Sequence, residues 1–503
     1  MTKAATFVLI LMVSVSICLM AQSSGEPCPT FFATTTPIST PSKDLICVVP
    51  QIYGPSGLVG DNEFGPLVNT AAGTTSPHDV DFRNSTFVTL PALTSEIGTQ
   101  LSQLPLASPV SGFIFAFSPS LGVMTEVTQN FGPLLSERGQ TIGRHRLFVG
   151  VSYQYFDFDQ IDGVNLRNFG AVFRHEQTGL SACTSGPPTC ADNLPVFAKD
   201  IVTTQNSLDL KIHEIAAVAT FGFTDRLDVS VAVPILNVRE AMYSTATIRS
   251  FETYPAGIDG NSCFDNPLQP ALGVRGCMHQ FSQTPVHGET LLPQSPYPFL
   301  QNQARFSKTG SASGVGDVLF RGKFQAIKGE KIGLAVGVDV HTPTGDELNL
   351  LGSGTWGTRP FVAVSHSGRI APHASFGYQI NGNSVLAGDI TKNTKAHLPN
   401  VVTYDAGADF GVTRRIGVSA DFIALALLNE TKITQGTFTD FGGGTHSDIA
   451  QSKKETSNQG SVAIGGKVKP FGRLLITANV LIRLNDAGLH AKPVPLGGLS
   501  YTF

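Results

Sequence analysis

The residues able to do chemistry in this chain are scattered charged side chains, a few histidines and cysteines that fall in near-neighbour pairs. His213-Glu214-Ile215-Ala216-Ala217 opens like the helix motif of zinc proteases, but no histidine follows four residues after the first. The second metal ligand is therefore missing. No G-x-S-x-G nucleophile turn and no G-x-x-x-x-G-K phosphate loop occurs. His446 beside Ser447 and Asp448, and His341 two residues from Asp339, supply hydrolase residue types without a motif that fixes their geometry. Removing Cys18 with an N-terminal signal leaves six of the seven cysteines. By proximity these pair as Cys28 with Cys47, Cys183 with Cys190 and Cys263 with Cys277. They lack the C-x-x-C spacing of a metal site. Disulfides of this kind imply an oxidising compartment. The expectation is a protein that is not an enzyme and carries no metal or cofactor.

The elements that must position these side chains are strands. From Lys331, Ile332, Leu334, Val336, Val338 and Val340 alternate with Gly333, Ala335, Gly337, Asp339 and His341. The same period of two follows Arg226 through Leu227, Val229, Val231, Val233 and Ile235, and follows Arg473 through Leu474, Ile476, Ala478, Val480 and Ile482. Successive side chains on a strand face opposite ways, so each segment has one apolar and one mixed face. Strands are predicted at 144–157, 203–222, 226–236, 314–328, 331–343, 359–366, 370–380, 399–412, 416–428, 457–468, 472–484 and 495–503. Their length suits tilted strands crossing a bilayer, which need roughly 9–11 residues. Short links such as Gly329-Glu330 alternate strictly with long ones such as 158–202 and 237–313. That sidedness matches bacterial barrels, with tight periplasmic turns and larger outer loops. The fold expected is all-β: an antiparallel transmembrane β-barrel of about 12 strands, or 14 if the N-terminal region adds two.

By parity the second face carries Arg146, Asp228, Asp317, Arg321, Lys323, Asp339, His341, Asp405, Asp409, Asp421, Lys467, Arg473 and Arg483. An Arg or Lys facing lipid at mid-depth costs about 2–4 kcal/mol, so these residues are assigned to the lumen. They would line a polar conduit, or fill a narrow lumen with ion pairs. The pattern also predicts a bulge near Glu214, and places Pro234 and Pro372 near strand ends or bulges because proline donates no ladder hydrogen bond.

Composition agrees. Charged residues make up 14%, glycine is abundant at 52, and phenylalanine at 33 outnumbers the single Trp356, leaving Tyr and Phe to form interfacial girdles. The net charge of −4 leaves no basic footprint for nucleic acid. Lys3, the apolar run from Ala4 to Met20 and Ala21 form a cleavable secretory signal over residues 1–21. Residues 22–143 lack hairpins and are expected to be a plug or periplasmic extension, with 144–503 as the barrel. The chain ends Leu499-Ser500-Tyr501-Thr502-Phe503, and the terminal Phe503 resembles the signal that barrel-assembly machinery reads.

Phe131-Gly132-Pro133-Leu134-Leu135-Ser136-Glu137-Arg138, Thr141-Ile142-Gly143 and Val149-Gly150-Val151-Ser152-Tyr153-Gln154-Tyr155-Phe156-Asp157-Phe158 resemble the family labelled MetA-pathway of phenol degradation. Gly314-Val315-Gly316-Asp317-Val318 and His341-Thr342-Pro343-Thr344-Gly345-Asp346 extend that resemblance, which spans about 110–503. It implies a protein of the outer membrane of a Gram-negative-type bacterium, related by analogy to FadL-like channels for aromatic and other hydrophobic compounds. The function expected is passive uptake of small hydrophobic or aromatic solutes. The alternatives are a general or ion-selective pore, or a structural or adhesive surface barrel. The expected partners are outer-membrane lipid and lipopolysaccharide, the assembly machinery and the small hydrophobic solute.

Overall fold

A strand in hydrocarbon must find a partner for every backbone N–H and C=O, and a sheet without edges meets that demand by closing on itself. In the computed structural model of the protein, the described residues are 28, 42–54, 58, 61–62, 83–104, 114–118, 123–127, 136–174, 200–249, 279–281, 290–291, 303–329 and 331–503. Twelve antiparallel staves form a closed barrel. They are β1 (Leu147–Ile161), β2 (Ile201–Gly222), β3 (Leu227–Arg249), β4 (Gln303–Val315, continued by Leu319–Lys328), β5 (Ile332–His341) and β6 (Gly357–His366). Then follow β7 (Ile370–Asn381), β8 (Asn400–Gly411), β9 (Ile416–Thr439), β10 (Thr445–Val468), β11 (Leu474–Arg483) and β12 (Val494–Thr502). The last stave pairs with the first, Leu496 opposite Gln154 and Thr502 opposite Phe148. Phe503 completes the seam, its N–H donating to the Leu147 carbonyl at 2.8 Å.

The apolar parity faces outward. Val229, Val231 and Ile235 on β3 and Ile332, Val336 and Val338 on β5 point away from the lumen, while Asp228, Ser230 and Asp339 are buried within it. Phe223, Phe471 and Phe503 project at the short-turn end, and Trp356 and Tyr153 at the long-loop end. The Tyr153 hydroxyl lies 2.8 Å from His213 Nδ1 on this outer surface, so His213 belongs to the girdle and not to a metal site. Among the described residues no helix is long and apolar enough to cross a membrane. The crossing is made by strands.

Four staves run far past the expected segments: β3 extends to Arg249, β4 begins at Gln303, β9 extends to Thr439 and β10 begins at Thr445. Above Ile235 the outward face of β3 changes to Asn237, Arg239, Thr245 and Thr247, yet pairing with β2 and β4 continues. The lipid ends there while the ladder does not. The expected bulge near Glu214 is absent, because β2 keeps register with β3 from Ile201 to Gly222. What changes at Glu214 is the surroundings of each face. The real break lies in β4 between Val315 and Leu319, opposite Pro234, whose carbonyl accepts from Gly316 N at 2.8 Å. Pro372 is the third residue of β7. The fourteen-strand alternative is not realised: Ile114–Ser118 pairs only with Val123–Val127, in a separate hairpin.

Described parts of the N-terminal region pack inside the barrel. A helix, α1 (Arg83–Leu101), buries Leu90, Leu93, Ile97 and Leu101 along one stripe. A 3₁₀ turn at Leu45–Cys47 and the buried Val48, Ile52 and Tyr53 join Leu208, Leu210, Ile212, Val238 and Met242 of the wall in one apolar cluster. The Tyr53 hydroxyl meets Ser244 Oγ at 2.8 Å and its ring packs edge-on to Phe306. The disulfide Cys28–Cys47 pins this segment, with Cα atoms 5.4 Å apart. Cys183, Cys190, Cys263, Cys277 and the signal region 1–21 lie outside the described residues. If β5 faces lipid as assigned, Val336→Arg at its centre lowers the unfolding free energy by about 2–4 kcal/mol in a urea titration in lipid vesicles. An unchanged midpoint would contradict that orientation.

Candidate functional site

Side-chain chemistry divides the lumen in two. The half near the short turns is polar and charged, and the half near the long loops combines a large apolar cluster with a cavity lined by polar and charged residues. In the charged half, Arg321 of β4 donates to Asp339 of β5 through Nε at 2.5 Å and Nη2 at 2.8 Å. Arg359 of β6 reaches the same carboxylate through Nε at 2.9 Å. Lys467 of β10 meets Asp409 of β8 at 3.1 Å, and His373 Nε2 of β7 meets Asp421 of β9 at 2.6 Å. These groups are largely buried, where an unpaired charge would cost several kcal/mol. Pairing across neighbouring staves is therefore required once the charges face inward.

Residues 136–142 cross this half of the lumen and bind four staves, β3, β4, β6 and β9, and two of the short turns. Ser136 Oγ donates to Asp421 at 3.3 Å, and Glu137 takes a hydrogen bond from Arg321 and lies 3.6 Å from Lys323 Nζ. Gly139 N donates to Ser365 Oγ at 2.9 Å, and Ile142 N to Asp228 at 2.9 Å. Thr141 Oγ1 reaches Gln325 Oε1 at 3.1 Å and the Asp225 carbonyl at 3.0 Å, while Gln140 bonds to Ser367 Oγ at 3.1 Å. The backbone fits so closely that a Cβ on Gly139 would lie 2.1 Å from the Gly333 carbonyl oxygen. Only glycine allows that approach. The segment is a latch held by hydrogen bonds and one buried ion pair.

The sequence-predicted residues separate accordingly. Arg321, Lys323, Asp339, Asp228, Asp409, Asp421 and Lys467 come together around the latch, and Asp405 accepts from Ser375 nearby. Arg146 and Arg473 are half-buried at the short-turn end. Asp317 stands apart: in the β4 break it accepts from Gly345 N at 3.0 Å and Ser353 N at 2.7 Å, fixing the β5–β6 loop. His341 closes the outer end of β5 beside the cavity that Asp317 and Leu350 share. Arg483 sits at the outer end of β11 and donates to Gln459 Oε1 at 2.9 Å and the Leu489 carbonyl at 2.6 Å. His446 pairs with Asp440 at 2.6 Å and not with Ser447 or Asp448; this bond holds the Asp440 carboxyl below its ordinary range. Sequence reasoning missed Glu137 as a lumen residue, and also Glu96 and Glu430.

The outer half holds a cavity of about 570 Å³ between α1, the loop before β8 and the bulged part of β9. Below it a smaller apolar pocket is lined by Phe156, Phe158, Leu481 and Leu489, the two phenylalanine rings stacked at 5.7 Å.

Residues 278–487 match the family described as "Putative MetA-pathway of phenol degradation". The family resemblance holds over that stretch. An outer membrane channel from Pseudomonas putida F1 is 11% identical with a TM-score of 0.36, covering 73% of this chain and 98% of that one. A Pseudomonas aeruginosa FadL homologue is 10% identical with a TM-score of 0.30, over 78% of this chain and 96% of that one. The Ralstonia pickettii toluene transporter TbuX is 10% identical with a TM-score of 0.24, over 80% and 98% respectively. No curated protein matches the chain. The closed antiparallel barrel with its apolar outer band places the protein in the outer membrane of a Gram-negative-type bacterium.

Gly139→Ala should dislodge the latch. In planar bilayers the variant is expected to give steady currents where the native protein is close to silent. Equal conductance of the two would show that residues 136–142 do not close the lumen.

Proposed function

We propose that the protein is a passive outer-membrane channel for small hydrophobic or aromatic compounds. The observation that carries this reading is an apolar pocket around Phe156 and Phe158 below an outer cavity, with residues 136–142 lying across the inner end of the lumen on hydrogen bonds to the wall. A solute would enter the outer cavity, move along the apolar surface around Phe156 and Phe158, and leave as the latch shifts. No energy source is needed, because the solute follows its own gradient. In this reading residues 22–143 are the plug and 144–503 the conduit, residues 1–21 are the export signal, and Phe503 is the mark for the assembly machinery. The phenol-degradation label of the matched family supports an aromatic solute.

The charged inner half favours a second reading, an ion-selective pore. The two differ in current. A pore conducts continuously, whereas a latched channel passes few ions while still admitting neutral solutes. Vesicles holding the purified protein should take up toluene faster than protein-free vesicles, and Gly139→Ala should speed uptake further. Equal uptake by both kinds of vesicle would remove the transport proposal.

A further inference from the structure

Two buried carboxylates, Glu96 and Glu430, line the outer cavity, half-buried Asp162 stands beside Glu96, and none of the three has a cation within ion-pair distance among the described residues. We propose that this cavity binds a small solute carrying a protonated amine on an apolar body, with the ammonium held between Glu96 of α1 and Glu430 of β9. The proposal concerns binding at the mouth and stands whether or not the bound solute then crosses the membrane.

Glu96 is 5% exposed, and neither of its carboxylate oxygens accepts a hydrogen bond. Glu430 is 2% exposed; its Oε1 accepts from Gln100 Nε2 at 2.6 Å, while Oε2 has no partner. Asp162 stands beside Glu96, and its Oδ1 takes Gly488 N at 2.8 Å while Oδ2 has no partner. Glu96 and Glu430 both line the cavity. Burial, with Asp162 and Glu430 as neighbours, pushes the Glu96 carboxyl well above the ordinary carboxylate range. A bound ammonium would offset that cost.

The backbone is shaped to put Glu430 there. Up to Leu427 the odd-numbered residues of β9 face inward. A register slip between Leu427 and Glu430 reverses the parity, so an even-numbered glutamate turns into the lumen. Asn429 within the slip has a φ of 57°, a left-handed conformation that asparagine tolerates better than most residues. Asp162 is likewise presented by a tight turn, with φ 46° there and 85° at Gly163.

Three of the nearby cations are otherwise engaged, and exposed Lys454, which also lines the cavity, forms no ion pair with these carboxylates. Arg483 donates to Gln459, the Ala487 carbonyl and the Leu489 carbonyl. Lys392 pairs with Asp389 at 3.2 Å, and Lys432 with Glu455 at 3.9 Å. Among the described residues no group of three acidic, histidine or cysteine side chains is spaced to hold a metal ion, which points to an organic cation. Val88, Pro91 and Ala92 of α1 give the cavity an apolar wall for the rest of the solute. Its volume falls within the roughly 300–1,000 Å³ usual for small-molecule sites.

The test is calorimetric titration of the full-length protein in detergent with benzylamine, benzyl alcohol and benzoate at neutral pH. Benzylamine should bind saturably, with the uncharged and anionic analogues of the same shape at least about tenfold weaker. Glu96→Gln and Glu430→Gln should each weaken benzylamine on the order of tenfold, the loss of a charged hydrogen bond. Ala92→Trp, which fills the cavity and leaves both carboxylates intact, should abolish binding in a protein that still shifts on heating in a gel. Absence of saturable heat, benzyl alcohol binding as tightly as benzylamine, or unchanged affinity in Glu96→Gln would each overturn the proposal. In the last two cases the carboxyls merely share protons among themselves.

Discussion

The structure depends on one constraint: in hydrocarbon every backbone polar group must be paired within the sheet. Twelve staves meet it only because β12 returns to β1, with Phe503 bonded to Leu147 at the seam. Closure then dictates side-chain placement. Each stave has one face in lipid and one in the lumen, so charges such as Arg321 and Asp339 have a single tolerable location. Their mutual pairing follows from confinement, since water in a filled lumen cannot replace a lost partner.

Closure also leaves an interior to fill. Described parts of the N-terminal region pack there with chemistry matched to each level. Near the outer loops Leu45 and Ile46 join Leu208, Leu210 and Val238 of β2 and β3 in one apolar cluster, and α1 packs mainly against residues 383–389, β9 and β10. Near the short turns the latch presents Ser136, Glu137 and backbone N–H groups to Asp421, Arg321 and Asp228. The described N-terminal segments are thus anchored by burial at one end and by directional bonds at the other.

The membrane-embedded part of the wall was legible because lipid imposes alternation on the sequence. Ile332 to Val340 and Leu474 to Ile482 read as strands for that reason, and the short turns between staves fixed their order. Where lipid ends, the signal ends. The upper halves of β3 and β9 are polar on the outside, so residues such as Arg239 and Thr434 read as loop although they lie in ladders. A change of surroundings at Glu214 was mistaken for a change of phase. The helix escaped notice because Pro91 and several threonines and serines obscure the stripe of Leu90, Leu93, Ile97 and Leu101. Asn429 shifts parity by a backbone turn that no side-chain pattern announces, which hid Glu430. Glu137 and Arg138 are visible as charges in the sequence, but their burial depends on a crossing of the lumen that only tertiary structure supplies.

The account rests most directly on the two faces of a stave. Spin labels placed singly at positions 332 to 341 of β5 in lipid vesicles, with collision rates measured for oxygen and for a water-soluble nickel complex, would test it. The account predicts oxygen access peaking at every second position, at 332, 334, 336, 338 and 340, with the positions between shielded from oxygen. Access without this alternation, or high nickel access along the whole stave, would contradict a lipid-embedded barrel.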